Sequence, residues 1–486
     1  MANTHDLKQA TDETLPVDAV LFGADSMTAD TPSTYPLTKL GQSFLAPRKL
    51  DVVTYLAQPG AVVAHRTGGA LYAPENSLAA ARAMIMAGVE CIEYDVYQTT
   101  TGLLVCNHDS TVDRTTVVTG NTVDLTEATL DAAIMDAAAV LGLTGSWARE
   151  RLPLWHEVLR EFGNRIMILV EAKNDNAYKG ILAQLRRLGV DPAGVVVQSF
   201  SLTVAQAVAT RGYNACYLID DPAAVDFAAV SASGVRMMAA DLINWTGTLV
   251  TAAKSAGLIV GAYTISRRYK RDAWLAMGGQ FYFADDPLYL DTSNQITARD
   301  EFGAQTWPPG QLSNGATRGT MVAPDQYRMN RTSTAGYASS LAGWLCPLGN
   351  NALIDNFVLT FKLKLVSVDA ADRWAGLVIC AVDDLEYTDT SPWLNGYHVL
   401  LRQDGRIQLY RITAASGATL LTTQTGTAIT TGVEQSITIT ITPTNVTVAN
   451  ATAGTTMTFA DATRRGGYVH LGANGADARF YDIVAT

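Results

Sequence analysis

The chain has 486 residues, of which 48% are hydrophobic and 17% charged, and its formal net charge is −11 at pH 7. This length predicts two or three domains, and the acidic balance argues against nucleic acid and anionic membranes as general partners. The five cysteines have no paired spacing, and neither a secretory signal nor a membrane-spanning apolar run is evident. We therefore expect a protein that is not membrane-embedded and is either intracellular or exported without a cleaved signal.

Residues 1–60 form a short, weakly patterned segment that is too small to be expected to fold alone. From residue 61 to about 300, apolar runs typical of buried parallel strands alternate with helical patterns. The runs lie at residues 61–65, 91–96, 166–173, 195–200, 214–219, 236–241, 258–264 and 281–286. Eight runs in this length predict a TIM (β/α)8 barrel over residues 61–300, with a doubly wound open sheet as the alternative.

The pattern of apolar and polar residues changes after the predicted barrel. Residues 301–321 are rich in glycine, proline and polar residues and are interpreted as a linker. Residues 322–486 contain strand patterns separated by turn residues and no long helical pattern, so they are predicted to form a C-terminal β-sandwich. Within this region the adjacent acids Asp383 and Asp384 offer too few ligands for calcium and are expected in a solvated loop.

Charged residues and histidines close several of the apolar runs, where the active site of a TIM barrel lies. The first run ends at His65 and Arg66, and the third ends with Glu171 and Lys173. His108 follows a short apolar piece between the second and third runs. A site at the carboxyl end of the predicted barrel is therefore expected.

Three carboxylates are predicted to converge at this barrel mouth. Glu93 and Asp95 are two apart and so point to one face of the second strand, and Glu171 lies on the next barrel strand. Three such groups cannot all stay ionised in a confined site without a cation, and oxygen-only ligands favour Mg²⁺ or Ca²⁺. Two histidines can serve as general acid and general base, while an arginine and a lysine supply positive charge for a phosphate. The set predicts phosphoryl-ester chemistry.

Six short motifs occur in order along the predicted barrel. They are His65-Arg66, Pro74-Glu75-Asn76-Ser77, Glu93-Tyr94-Asp95, His108-Asp109 with Asp113-Arg114-Thr115-Thr116, Glu171-Ala172-Lys173 and Ala284-Asp285-Asp286-Pro287. In this order they resemble the motifs of the glycerophosphodiester phosphodiesterase family, which is related to phosphatidylinositol-specific phospholipase C. The resemblance covers residues 61 to about 290 and implies a hydrolase of phosphodiesters.

The resemblance also implies roles for the matched residues. Glu93, Asp95 and Glu171 would bind one divalent cation, Ca²⁺ or Mg²⁺, and His65 and His108 would be the catalytic acid–base pair. In the family, an adjacent substrate hydroxyl is thought to attack phosphorus and give a cyclic phosphate, which water then opens. Which histidine is the acid and which the base is left open.

Four further residues are assigned by the same resemblance. Arg66 and Lys173 would bind the phosphate. Glu75 and Asn76 would support the site, Glu75 either by adding to the metal or by orienting a histidine.

Three positions depart from the family pattern. Thr67 replaces an expected glycine, and Thr101 stands where the family often has aspartate; both are interpreted as local loop variation. Tyr263 occupies a position usually taken by tryptophan. It is expected to face the mouth of the barrel, where it would alter the pocket for glycerol or sugar.

The two flanking regions suggest a setting for this chemistry. The C-terminal region resembles concanavalin-like laminin-G or carbohydrate-binding modules, and a packing or oligomerisation domain is the equal alternative. The N-terminal segment resembles the attachment segments of phage tail fibres and tail spikes. Together they suggest a virion tail depolymerase that cuts glycerol-phosphate linkages in teichoic acid or a phosphate-containing capsule, and that assembles as a homo-oligomer, commonly a trimer.

Two other interpretations of the function stay open. The chain could be a bacterial phosphodiesterase, cytoplasmic or exported without a classical signal, that acts on small glycerophosphodiesters. It could also be a catalytically silent receptor-binding virion protein, although the intact acids and histidines argue against this.

Overall fold

The computed structural model describes residues 50–68, 73–136, 150–290, 299–300, 320–323, 326–330, 337–344, 356–384, 395–413 and 417–485. Residues 1–49 of the predicted attachment segment at residues 1–60, and most of the predicted linker, lie outside the described residues. None of the helices within the described ranges is long and apolar enough to cross a membrane.

Nine strands form the first sheet. They are β1 Ala61–Ala64, β2 Cys91–Gln98, β3 Leu104–Cys106, β4 Met167–Ala172, β5 Val195–Ser199, β6 Asn214–Ile219, β7 Met237–Asp241, β8 Ile259–Tyr263 and β9 Phe281–Ala284. All are parallel to their barrel neighbours except β3, which pairs antiparallel with β2. Because β1 pairs with both β9 and β2, the eight parallel strands close into a barrel. The predicted TIM barrel is confirmed, and each predicted apolar run overlaps one of its strands.

Helices connect these strands and cover the outside of the barrel. The described ones are α1 Val52–Leu56, α2 Leu78–Met86, α3 Glu127–Leu130, α4 Trp155–Phe162, α5 Ala177–Leu188, α6 Leu202–Thr210, α7 Phe227–Ala232, α8 Gly247–Ser255, α9 Arg268–Ala276 and α10 Pro287–Leu290. Several begin after a residue whose side chain accepts a backbone N–H of the first turn, including Ser77 before α2 and Thr246 before α8. Such a cap contributes about 1 kcal/mol and fixes where each βα loop ends.

The strands carry two apolar faces because successive side chains point in opposite directions. On β2, Ile92 and Tyr94 join the cluster that packs against the outer helices, whereas Cys91 belongs to the cluster that fills the barrel. Helix α1 contributes Val52 and Leu56 to this inner cluster. The period of two therefore sends every second residue near the carboxyl ends of the strands toward the barrel axis.

The C-terminal region forms two antiparallel sheets. One contains β10 Arg299–Asp300, β11 Thr320–Ala323, β12 Gln326–Asn330, β14 Phe357–Val368, β19 Glu434–Ile441, β20 Asn445–Asn450, β21 Thr455–Ala460 and β23 Ala476–Ala485. The other contains β13 Tyr337–Trp344, β15 Trp374–Ala381, β16 Gly396–Arg402, β17 Arg406–Thr413, β18 Gly417–Thr425 and β22 Tyr468–Asn474. Alternate residues such as Ile437, Ile439 and Ile441 are buried in a shared core, as the predicted β-sandwich requires.

One sheet of the sandwich also packs against the barrel. Strand β15 is buried along its whole length, because Leu377 and Ile379 join the sandwich core while Trp374 and Val378 join the cluster that surrounds the barrel. A strand of an antiparallel sheet is buried on both faces only when both faces are covered. The barrel and the sandwich therefore share a hydrophobic interface.

Asp384 lies at this interface. Its carboxylate accepts hydrogen bonds from the backbone N–H groups of Arg268 (2.6 Å) and Tyr269 (2.9 Å) at the start of α9, and from the hydroxyl of Tyr289 (2.6 Å). Only 1% of the residue is exposed. The prediction of a solvated loop is wrong for Asp384, because partners 95 to 116 residues earlier in the chain cover it.

Candidate active site

The site lies at the carboxyl ends of the barrel strands and is built by the alternation described above. On β2 and β4, Glu93, Asp95 and Glu171 occupy the positions that point toward the barrel axis. A cavity of about 180 Å³ opens beside them. It is lined by His65, Arg66, Glu93, His108, Glu171, Gln198, Phe200, Leu218, Tyr263, Thr264 and Phe283. The structure therefore brings both predicted histidines and two of the three predicted metal ligands to one cavity.

The three carboxylates form a compact buried group. One oxygen from each of Glu93, Asp95 and Glu171 lies within 4.8 Å of the others. Asp95 and Glu171 are register partners on adjacent parallel strands, which explains their proximity. Burial and the neighbouring charge of Asp95 raise the pKa values of Glu93 and Glu171. A group of three buried oxygen donors fits a hard divalent cation, whose charge would favour the ionised state of all three.

Hydrogen bonds orient two of these carboxylates. Glu93 accepts the backbone N–H of Arg66 at 2.6 Å through one oxygen and the side-chain amide of Gln198 at 3.1 Å through the other. Asp95 accepts the side-chain amide of Asn76 at 2.9 Å, and its own backbone N–H donates to the Asn76 amide oxygen at 3.0 Å. Partners of this kind fix ligand orientation before a metal binds. The sequence analysis missed Gln198, although it lies two residues after the inward-facing Val196.

The predicted phosphate-binding cations lie against the carboxylates. Lys173 Nζ is 3.0 Å from Glu171 Oε1 and 3.6 Å from Asp95 Oδ1. Arg66 is 3.3 Å from Glu75 and 3.9 Å from Asp95. Although burial alone would raise the pKa of Asp95, the positive charges of Lys173, His108 and Arg66 hold it below its usual value.

Each histidine is held by a carboxylate through Nδ1. His65 Nδ1 lies 2.6 Å from Asp285, and His108 Nδ1 lies 2.7 Å from Asp109. A carboxylate at Nδ1 fixes the tautomer and leaves Nε2 for the reacting atoms. The sequence analysis quoted both aspartates within motifs but gave neither a role, because their contacts depend on the folded strand ends.

The two histidines experience opposite environments. Burial disfavours the charged form of His65, but Asp285 outweighs this effect and raises its pKa. Burial lowers the pKa of His108, and the charges of Arg66 and Lys173 lower it further. The pKa values of the two imidazoles are thus shifted in opposite directions, which suits a pair that serves as general acid and general base.

Glu75 lies beside this site but outside the three-carboxylate group. Its carboxylate accepts hydrogen bonds from the guanidinium groups of Arg66 and Arg114. Both predicted roles of Glu75, adding to the metal or orienting a histidine, stay predictions.

Tyr263 contributes to an aromatic wall of the cavity. Its ring contacts Phe200 and Phe283 edge-on, with centroids 6.1 and 6.4 Å away. Its hydroxyl donates to the carbonyl oxygen of Ile219 at 2.7 Å and lies 3.3 Å from Asp220. The ring therefore borders the space where the substrate would lie.

A second, larger cavity of about 540 Å³ lies elsewhere on the barrel, lined by residues that include Tyr55, Glu90, Arg271 and Asp272. No histidine lines it, and the three-carboxylate group is not part of it. The smaller cavity is the candidate active site because titratable groups with shifted pKa values converge there.

The residues of this site lie within a part of the chain that is similar to known proteins. Residues 65–288 match the Glycerophosphoryl diester phosphodiesterase family. Glycerophosphodiester phosphodiesterase 1 of Bos taurus is 38% identical over 117 residues, which cover 24% of this chain and 34% of that protein. Glycerophosphodiester phosphodiesterase of Bacillus subtilis is 32% identical over 161 residues, covering 29% of this chain and 52% of that protein. The chain thus spans about half or less of the length of these curated relatives.

A solved structure of an Oleispira antarctica phosphodiesterase, in complex with the product sn-glycerol-3-phosphate, is also similar. It is 21% identical, with a TM-score of 0.44, and the similarity covers 50% of this chain and 98% of that chain. The family match includes both histidines, the three carboxylates and the strand ends that carry them. Residues 65–288, which carry the whole candidate site, thus match the glycerophosphoryl diester phosphodiesterase family.

Proposed function

We propose that this chain is a divalent-metal-dependent phosphodiesterase that hydrolyses diesters of the glycerol-phosphate type, with His65 and His108 as its acid–base pair. The observation that carries the proposal is one cavity in which two carboxylate-held histidines lie beside three converging buried carboxylates. The family of the domain supports the same chemistry.

The reaction that the family resemblance implies would use these groups in two steps. One histidine removes the proton from a substrate hydroxyl adjacent to the phosphate, and that oxygen attacks phosphorus. The other histidine protonates the leaving alcohol oxygen, so a cyclic phosphate and a free alcohol result. The roles then reverse: water loses a proton to the second histidine, attacks phosphorus, and the ring oxygen leaves with a proton from the first. Arg66 and Lys173 offset the negative charge of the phosphate.

Glu93, Asp95 and Glu171 would hold the metal, and Ca²⁺ and Mg²⁺ both suit this oxygen-only set. When bound, the cation would supply positive charge to the phosphoryl oxygens.

We further propose that the biological substrate is a polymer with glycerol-phosphate linkages, such as teichoic acid or a phosphate-containing capsule, and that the chain is a tail depolymerase acting as a homotrimer. Support comes from the resemblance of residues 1–60 to attachment segments and from the C-terminal sandwich. The competing proposal is hydrolysis of small glycerophosphodiesters, which the family name itself favours.

A two-substrate assay tests both levels of this proposal. Purified full-length chain is incubated with glycerophosphocholine and, separately, with poly(glycerol phosphate) teichoic acid, and phosphate-monoester groups are counted. Release from the polymer that greatly exceeds release from the small diester supports the depolymerase. Rapid turnover of glycerophosphocholine alone contradicts the polymer proposal, and no release from any diester contradicts the enzyme proposal.

A further inference from the structure

Arg114 joins two parts of the site that the proposed reaction does not connect. Its Nη1 and Nη2 atoms donate to the two carboxylate oxygens of Glu75, at 2.9 and 2.6 Å. On its other edge, Nε and Nη2 donate to the two oxygens of Asp109, at 2.6 and 3.1 Å. One guanidinium thus makes paired hydrogen bonds to two carboxylates, which only the planar fork of arginine can do.

The second of these carboxylates, that of Asp109, contacts the proposed catalytic histidine. Asp109 Oδ1, which Arg114 contacts, is also 2.7 Å from His108 Nδ1. The Asp109 side chain is partly exposed, so rotation away from the ring is sterically open to it. Paired bonds from Arg114 restrict that rotation and keep the carboxylate in the plane that the imidazole N–H needs.

The first carboxylate, that of Glu75, is buried and held in a fixed position. Glu75 is 4% exposed, and it lies next to Asn76, whose amide group is bonded to the metal-ligand candidate Asp95 through both its oxygen and its nitrogen. The loop after β1 is therefore fixed to β2 at this point. Arg114 lies on the loop that follows β3. Because it is bonded to the fixed Glu75, its bonds to Asp109 hold that carboxylate in place as well.

We propose that Arg114 is a positioning residue, which orients His108 for catalysis by clamping Asp109 against the buried Glu75. This inference rests on the proposed phosphodiesterase reaction of the same site. Arg114 itself does not line the cavity. Its effect is therefore expected on turnover rather than on substrate binding.

The test compares two matched arginines in the full-length chain. Arg82 makes a similar paired bond to Glu161, at 2.6 and 2.7 Å, but on the outer surface of the barrel, so it is the control. Arg114→Lys retains the charge without the fork and is expected to lower kcat about 10-fold, and Arg114→Ala about 100-fold, with KM changed less than about 3-fold. Arg82→Lys and Arg82→Ala are expected to stay within about 2-fold of the parent.

A double-mutant cycle with Asp109→Asn identifies the route of the effect. If Arg114 acts through Asp109, the variant carrying Arg114→Lys and Asp109→Asn is no slower than the slower single variant. Multiplied losses, or parental kcat in Arg114→Lys, would overturn the inference. Added guanidinium is expected to restore part of the kcat of Arg114→Ala and none in Asp109→Asn; equal recovery in both would also overturn it.

A readout without turnover separates this inference from the proposed function. In histidine-labelled protein, nitrogen NMR is expected to show the His108 Nδ1 hydrogen bond in the parent and in Arg82→Lys, and its loss in Arg114→Lys. An unchanged His108 signal contradicts the clamp, whatever the enzyme hydrolyses. An inactive parent whose His108 signal changes as expected contradicts the phosphodiesterase and leaves the clamp supported.

Discussion

At the scale of single residues, Thr67 has a backbone conformation that favours the glycine expected there from the family resemblance. Its φ is +62°, in the left-handed region that costs an L-residue about 1–2 kcal/mol and a glycine almost nothing. The sequence analysis interpreted this departure as loop variation, whereas the structure shows backbone strain beside His65.

This strain predicts an order of stability. Thr67→Gly is expected to be about 1 kcal/mol more stable than Thr67→Ala, because both lose the threonine side chain but only glycine relieves the backbone. At Thr101, whose φ is not positive, the order should reverse. Urea unfolding of the four variants measures both differences, and an alanine variant at position 67 as stable as the glycine variant would show that no strain is present.

Asp285 predicts a change in pH dependence. Because Asp285 raises the pKa of His65, Asp285→Asn should lower that pKa, and the limb of the kcat/KM profile that reports His65 should move toward lower pH. His65 would then lose its proton at a lower pH than in the parent. The matched control is Asp272→Asn, which removes an exposed carboxylate on α9 and should leave both limbs unchanged. If the His65 limb of the pH profile is at the same pH in Asp285→Asn and in the parent, the pairing of Asp285 with His65 is contradicted.

The sequence was sufficient to locate the groups proposed to do the chemistry but not those that hold them. His65, His108 and the three carboxylates close apolar strands, so position and residue type identified them. Asp285 is 220 residues from His65, and the contacts of Arg114 depend on two loops, so neither pairing is visible in local pattern. Gln198 could have been found, because the alternation that turns Glu93 inward applies equally to β5.

At the scale of elements, the barrel strands were predictable because both of their faces are buried and their runs are continuously apolar. Their packing inside the barrel was not. Gly261 on β8 is one example: a Cβ there would lie 2.3 to 2.7 Å from ring atoms of Phe281 on β9. The ring fills the space that any larger residue at 261 would need.

This contact predicts that Gly261→Ala overpacks the barrel. We expect the free energy of unfolding to fall by about 1–3 kcal/mol, since the neighbouring ring must move into a filled core. Gly247→Ala at the start of α8 is the control, because nothing lies within 4 Å of the added Cβ, and it should be neutral or slightly stabilising. Thermal unfolding of both variants measures the difference, and equal stability would contradict the packing.

At the scale of the whole molecule, the sandwich was predictable but its contact with the barrel was not recognised. The signal was the sequence Trp-Ala-Gly-Leu-Val-Ile-Cys-Ala of β15, which is apolar without alternation and therefore typical of a strand buried on both faces. One face of that sheet packs on the barrel, so this face is covered and would not be available to a glycan.

Asp384 is expected to be important for this interface. Asp384→Ala would leave the Tyr289 hydroxyl and two backbone N–H groups at the start of α9 buried without acceptors, so we expect a loss of about 2–4 kcal/mol. Asp404→Ala, which removes an ion pair with Arg406 in a partly exposed turn, should cost less than about 1 kcal/mol. Equal unfolding temperatures for the two variants would contradict the role of Asp384.

The central claim is that three buried carboxylates and two histidines act together as a metal-dependent phosphodiesterase. The most direct measurement is a phosphorus NMR time course of a glycerophosphodiester with metal-free chain, with added Ca²⁺ or Mg²⁺, and with the metal-loaded variants His65→Ala and Glu171→Gln. We predict that the diester signal gives way to a phosphate monoester only in the parent with added metal, and that both variants are at least about 100-fold slower. Hydrolysis by the metal-free parent, or at parental rate in either variant, would contradict the account.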